Sequence, residues 1–114
     1  MSPIVLIAIP VAFIVGRLAW FRLRSGKARA LVAAGAALID VRTQGEYEAG
    51  HLPDAHNLPL DRLMARPQEA GPRDRPVVLY CASGTRSGLA ARTLRRAGYA
   101  TVVNLGPMFA WGRR

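Results

Sequence analysis

Residues 76–88 read PVVLYCASGTRSG, and this stretch decides the fold. Its first five residues, 76–80, are apolar or β-branched and predict a buried strand that ends at Cys81. The following residues, 82–87, are mostly small and predict a tight loop. Residues 87–97 separate apolar from basic side chains with helical spacing, which predicts an amphipathic helix. A strand, a tight loop and a helix in this order are typical of an α/β fold.

Shorter elements alternate in the same way on both sides of this unit. Thr43 and Glu46 have the spacing of a capping box and predict the start of a short helix that ends by Gly50. The other predicted elements are a helix over 28–34, a strand over 37–41, an extended piece over 56–58, a strand over 101–105 and a turn at Gly106-Pro107. Phe109 and Trp111 are predicted to close the core. The alternation predicts a mainly parallel sheet flanked by helices.

Cys81 is the single cysteine of the chain, so it is either a small buried side chain or a reactive thiol. The predicted strand delivers it to the carboxyl edge of the sheet, where open α/β folds bind ligands. The backbone amides of loop 82–87 can converge on one point, and the next helix directs its positive end there. Arg86 adds a permanent positive charge. Each feature favours the thiolate, so we predict that Cys81 is a nucleophile.

Three stretches together resemble the single-domain rhodanese family, and the resemblance covers about residues 30–111. They are LIDVR at 38–42 followed by Glu46-Tyr47, GHLPDAHNLP at 50–59, and YCASGTRS at 80–87. The chain departs from the family pattern at Asp54, where glycine is common, and at Gly106-Pro107, where two glycines are common. The resemblance implies a rhodanese-like three-layer α/β fold.

The same resemblance implies a sulfurtransferase. Cys81 would take the outer sulfur of a small anionic donor such as thiosulfate, form a persulfide, and pass the sulfur to cyanide, a thiol or an acceptor protein. Arg86 would orient the donor, and the loop residues Ala82, Ser83, Gly84, Thr85 and Ser87 would bind the sulfur and the donor. Neither a metal nor an organic cofactor is implied.

Two alternatives stay open. The first is a phosphatase or an arsenate reductase. Related enzymes of these two kinds carry one more residue between the cysteine and the arginine, whereas four residues separate Cys81 from Arg86 here, which favours sulfur transfer. Tyr80 also stands where the phosphatases typically place histidine. The second alternative is a membrane-tethered module without turnover, acting as a persulfide carrier or a binding domain.

Asp40 and Arg42 are candidate supporting residues, because the predicted strand over 37–41 ends at the same edge of the sheet. Asp40 either faces the active site or serves as a structural partner of Arg42 or of loop amides, and we favour the structural role. A local pair between Arg42 and Glu46 is also predicted. His51 and His56 lack the dense ligand cluster of a metal site.

The N-terminal residues differ in composition from the rest. Residues 4–21 carry one charge, Arg17, and are followed by Arg22, Arg24 and Lys27. This pattern predicts a transmembrane anchor with a basic flank in residues 1–26 and a rhodanese-like domain in residues 27–114. The positive flank predicts a single-pass protein of a bacterial-type inner membrane, with the domain facing the cytoplasm. The net charge is +9, but no nucleic-acid motif accompanies it.

Overall fold

The computed structural model describes residues 3–112. Its helices are α1 (Pro3–Ala33), α2 (Gln44–Ala49), α3 (Leu60–Ala65) and α4 (Thr85–Arg96). Its strands are β1 (Ala37–Asp40), β2 (His56–Asn57), β3 (Val77–Cys81) and β4 (Val102–Pro107). Two short 3-10 turns, Pro67–Ala70 and Met108–Trp111, complete the described elements.

The described strands form one sheet in the order β2-β1-β3-β4, and every neighbouring pair is parallel. The central strand β3 is buried along its whole length, as its continuous apolar sequence requires. On one face Leu63 of α3 and Leu94 of α4 pack against Leu79. On the other face Ala28 of α1 and Trp111 pack against the neighbouring strands. The predicted α/β fold with a parallel sheet flanked by helices is therefore confirmed.

The capping box at the start of α2 is also confirmed. Thr43 accepts a hydrogen bond from the backbone amide of Glu46, and the Glu46 carboxylate accepts one from the amide of Thr43. The helix ends at Gly50, as predicted. Because six residues bury too little surface to hold a helix alone, this reciprocal cap fixes where α2 begins.

The predicted turn at Gly106-Pro107 is wrong, because both residues belong to β4. Gly106 pairs with Tyr80 and Pro107 pairs with Cys81, after an irregularity between Leu79 and Tyr80. Asn104 helps to form this irregularity, since its side chain accepts a hydrogen bond from the amide of Gly106 over 2.9 Å. The extra length brings β4 alongside Cys81 at the carboxyl edge of the sheet.

The predicted membrane anchor over residues 4–21, and with it the placement on an inner membrane, is wrong. None of the helices in the described part of the chain is both long enough and apolar enough to cross a membrane. The uncharged run at 4–16 is interrupted by Arg17, and a bilayer crossing needs about 20 apolar residues. The basic flank that follows this run is helical, because α1 continues through it to Ala33.

The prediction for the C-terminal aromatic residues is half right. Trp111 is buried among the residues under α1, and its carbonyl accepts a hydrogen bond from the guanidinium of Arg29. Phe109 is 82% exposed and contributes nothing to the core. The 3-10 turn explains the difference, because residues two apart in it point in different directions.

Candidate active site

Cys81 is the last residue of β3 and has no exposed surface. The chain then turns sharply through Gly84, whose φ of 102° lies in the region that glycine adopts without strain. Gly84 is the N-cap residue of α4, so the turn and the start of the helix coincide. A Cβ atom at this position would lie 3.6 Å from the Cα of Gly106 in β4. The loop is thus folded closely between the cysteine and the neighbouring strand.

Hydrogen-bond donors converge on the Cys81 sulfur from the loop and from the first turn of α4. The amide of Gly84 donates to Sγ over 2.9 Å, and the amide of Ser87 donates over 3.4 Å. The Cys81 thiol donates to the Ser87 hydroxyl over 3.3 Å, and that hydroxyl donates to the carbonyl of Gly84 over 3.2 Å. When the thiol loses its proton, the same hydroxyl can turn and donate to the sulfur.

These contacts determine the acidity of the thiol. Burial raises the pKa of Cys81, but hydrogen bonds from the side chain and amide of Ser87 and from the amides of Gly84 and Ser83 lower it. The hydrogen bonds outweigh burial, so the pKa of Cys81 lies below its ordinary value. The site therefore favours a thiolate, which is the nucleophilic form of cysteine.

The other predicted loop residues surround this centre from outside. Ala82, Ser83 and Thr85 are exposed, whereas Ser87 is fully buried beside the sulfur. The amides of Ser83, Gly84 and Ser87 are thus brought to the sulfur, and converging amides were predicted for this loop. For the side chains of Ala82 and Thr85 the structure gives no contact with the sulfur.

Arg86 forms an ion pair that the sequence analysis did not predict. Its two terminal nitrogens donate to the two carboxylate oxygens of Glu46, over 2.6 Å and 3.0 Å. The hydrogen bond from Arg86 is the largest of the effects that lower the pKa of Glu46 to about 2. The predicted pair of Arg42 with Glu46 is wrong, because Glu46 faces the loop instead. The short spacing from Arg42 suggested a local partner, whereas the true partner lies 40 residues away.

Asp40 and Arg42 form a buried pair at the end of β1. The guanidinium of Arg42 donates to both carboxylate oxygens of Asp40, and its NH2 group also donates to the carbonyl of Gly50. The guanidinium lies 5.9 Å from the ring centre of Tyr80, and the hydroxyl of Tyr80 accepts from the amide of Leu52. Asp40 thus has Arg42 as its partner, one of the structural partners expected for it, and the pair joins β1 to the segment after α2.

His51 and His56 are in structural settings. The ring of His51 stacks on Tyr47 with centres 3.7 Å apart, and its Nδ1 lies 2.8 Å from the carbonyl of Tyr47. His56 belongs to the short edge strand β2. In residues 3–112 no three His, Cys, Asp or Glu residues are grouped as a metal site would require.

Glu46 is a functional candidate that the sequence alone did not reveal. A glutamate at the third position of a capping box has an evident structural role, so its sequence position alone gives no reason to expect a second, functional role. The charge of Arg86 was the available signal, because a partly buried guanidinium needs an acidic partner or an anionic ligand.

Comparison with protein-family models gives a match to the Rhodanese-like domain family over residues 22–113. The match includes β1 to β4, the loop after Cys81 and the end of α1. It begins upstream of the predicted domain boundary at residue 27 and extends beyond the buried Trp111.

Curated and solved relatives agree with this match. A sulfurtransferase of Allochromatium vinosum is 46% identical over 77 residues, which cover 67% of this chain and 71% of that protein. The uncharacterized protein YqhL of Bacillus subtilis is 47% identical, and the match covers 68% of this chain but 61% of YqhL. The human single-domain sulfurtransferase TSTD1 superposes with a TM-score of 0.65 at 30% identity, covering 75% of this chain and 89% of that one.

Proposed function

The chain belongs to the rhodanese-like domain family, and on this premise we propose that it transfers sulfane sulfur through a persulfide on Cys81. The proposed donor is a small anion with a transferable outer sulfur, such as thiosulfate. The proposed acceptor is cyanide, a thiol or a protein thiol. Residues 27–114 are the proposed catalytic domain, and no metal or organic cofactor takes part in the proposed reaction.

The observation that carries this proposal is the set of donors around one sulfur atom. The amides of Gly84 and Ser87 point at Sγ, and the Ser87 hydroxyl lies within hydrogen-bond distance. Such a set stabilises a negative charge on Sγ before reaction. After the proposed reaction the charge would reside on the outer sulfur of the persulfide, and loop amides of 82–87 would stabilise it there.

The proposed reaction has two balanced steps. The Cys81 thiolate attacks the outer sulfur of thiosulfate, a bond forms between the two sulfurs, and sulfite leaves with the electron pair of the broken sulfur–sulfur bond. The acceptor then attacks the outer sulfur of the persulfide, and the Cys81 thiolate leaves with the electron pair. With cyanide the product is thiocyanate. The first step needs the thiolate, which the lowered pKa of Cys81 supplies.

The burial of Cys81 limits which donors and acceptors can reach its sulfur, and this distinguishes an enzyme from a carrier without turnover. The residue has no exposed surface, so donor and acceptor must both reach the sulfur past the exposed loop residues Ala82, Ser83 and Thr85. A donor such as thiosulfate presents a single outer sulfur atom, which would reach the Cys81 sulfur after a small movement of the loop. A bulky protein acceptor needs a larger movement, and a carrier would release its sulfur only to a partner that provides it.

The test is steady-state formation of thiocyanate from thiosulfate and cyanide by the full chain, with Cys81→Ser as the matched variant. We expect turnover by the natural chain and none by the variant, whose hydroxyl cannot form a persulfide. Turnover retained by Cys81→Ser would refute the nucleophile. A stable persulfide without thiocyanate would favour the carrier. If a folded chain gave neither thiocyanate nor a persulfide, sulfur transfer would be refuted.

A further inference from the structure

Glu46 and Arg86 join two elements at the opening of the site. Glu46 lies in the first turn of α2, and Arg86 lies in the first turn of α4, two residues past Gly84. The side chains of Arg86 and Glu46 are 34% and 35% exposed, so the ion pair lies at the surface and not in the core. An incoming anion can therefore reach it.

The pair uses the groups of Arg86 that would otherwise bind a donor. Both terminal nitrogens of the guanidinium face carboxylate oxygens, in the two-pronged geometry that arginine also uses for oxyanions. The second arginine associated with the site, Arg42, is buried and held by Asp40 and the carbonyl of Gly50. A sulfonate-like group at the mouth of the loop thus meets Arg86 already occupied by a carboxylate.

We propose that Glu46 is a specificity-determining residue, which competes with the donor for Arg86 and disfavours dianionic donors relative to donors of lower charge. This inference rests on the proposed sulfur transfer and concerns its donor class. A dianion must displace Glu46 from the guanidinium or lie beside its negative charge, and both cost binding free energy. A donor with one negative charge meets less repulsion at the same place.

The competition is present at all ordinary pH values. Because Arg86 and Thr43 lower the pKa of Glu46 to about 2, the carboxylate stays charged wherever the Cys81 thiolate exists. The proposed effect of Glu46 is thus a fixed property of the site, and a pH profile of donor affinity will not reveal a titration of this group near neutrality.

Glu46→Gln removes the charge of the side chain but can preserve the capping box at the start of α2. The amide oxygen of glutamine can still accept from the backbone of Thr43, since capping boxes use either residue. Glu69→Gln is the matched control, because Glu69 forms a similar two-pronged pair with Arg62. That pair joins α3 to the following 3-10 turn, and neither of its residues belongs to the cysteine loop or contacts Arg86.

The first test measures thiosulfate binding by calorimetry in a Cys81→Ser background, where no reaction follows binding. We expect Glu46→Gln to tighten binding about two- to fivefold, which is the range that one exposed ion pair supports. Glu69→Gln should leave the affinity unchanged. Equal or weaker binding by Glu46→Gln would overturn the inference, and weaker binding would show that Glu46 positions Arg86 for the donor.

The second test compares two donors with the reactive cysteine in place. Benzenethiosulfonate carries one negative charge and the same type of outer sulfur as thiosulfate, a dianion. Glu46→Gln should raise kcat/KM for thiosulfate more than for benzenethiosulfonate, whereas a purely structural role would change both alike. If the natural chain uses neither donor, the proposed function fails, and the binding measurement still decides the competition at Arg86.

Discussion

The amide nitrogen of Gly84 lies 2.9 Å from the sulfur of Cys81 and donates a hydrogen bond to it. The two residues are three apart, so the chain must reverse within one turn to bring them together. It does so at Gly84, with a φ of 102°. The end of a strand, a left-handed glycine and the first turn of a helix thereby hold three backbone amides around one sulfur. They are the amides of Ser83, Gly84 and Ser87.

Gly84→Ala should disrupt this arrangement. A side chain at a positive φ costs about 1–3 kcal/mol, so the loop should relax and withdraw its amide from the sulfur. We expect a lower stability in urea unfolding and slower alkylation of Cys81 at neutral pH. Gly45→Ala is the control, because Gly45 lies within α2, with open space around its Cα. That change should raise stability by about 0.5–1 kcal/mol, and equal effects of the two variants would contradict the account.

Ser87→Ala should raise the pKa of Cys81, since it removes the hydroxyl that can donate to the thiolate. Hydrogen bonds to charged groups are worth about 1.5–3 kcal/mol, so alkylation of Cys81 at neutral pH should slow roughly tenfold or more. The rate should recover at alkaline pH, where the thiol ionises without help. Thr93→Ala removes another hydroxyl from α4, one bonded to the carbonyl of Leu89, and should leave the rate unchanged. A uniform loss of rate at every pH would contradict the acidity argument.

The pH dependence of the folding stability should reflect the ionisation of the Cys81 thiol. The pKa of Cys81 is lowered in the folded chain, whereas the pKa of an unfolded cysteine is about 8.5. Between these two values only the folded state has lost the proton, so stability rises with pH there. Relative to Cys81→Ser, the natural chain should gain stability across that window and keep it above. Thermal unfolding at several pH values measures the difference, and a constant offset between the two chains would refute a lowered thiol pKa.

Asp40→Asn should destabilise the fold, because it leaves the charge of Arg42 without its carboxylate. Asp40 is fully buried and accepts hydrogen bonds from the amide and guanidinium of Arg42. Breaking one side of a buried ion pair typically costs about 3–5 kcal/mol. Urea unfolding should show a loss of this size, while Glu69→Gln, which affects an exposed pair, should change stability little. A small effect for Asp40→Asn would mean that Arg42 finds another partner.

The sequence was sufficient to predict what depends on neighbours along the chain. The apolar run before Cys81 required a buried strand, the spacing of Thr43 and Glu46 required a capped helix, and small residues after Cys81 required a tight loop. The parallel sheet followed from the alternation of these elements. For the capped helix and the tight loop, the deciding interactions lie within a few residues of one another.

What the sequence did not predict depends on distant contacts. The pairing of Glu46 with Arg86 appears only when α2 and α4 are placed together, and the short spacing predicted Arg42 as the partner instead. Pro107 continues β4 because the end of β3 offers it a partner, although Gly106-Pro107 taken alone indicates a turn. The anchor prediction over residues 4–21 treated a helical run as separate, whereas the helix continues to Ala33.

The most direct test of the central claim is the intact mass of the full chain after brief exposure to thiosulfate and removal of the excess. The account predicts that the natural chain gains the mass of one sulfur atom, that cyanide removes it as thiocyanate, and that Cys81→Ser gains nothing. An unchanged mass for a folded natural chain, or the same gain in the Cys81→Ser chain, would contradict a persulfide on Cys81.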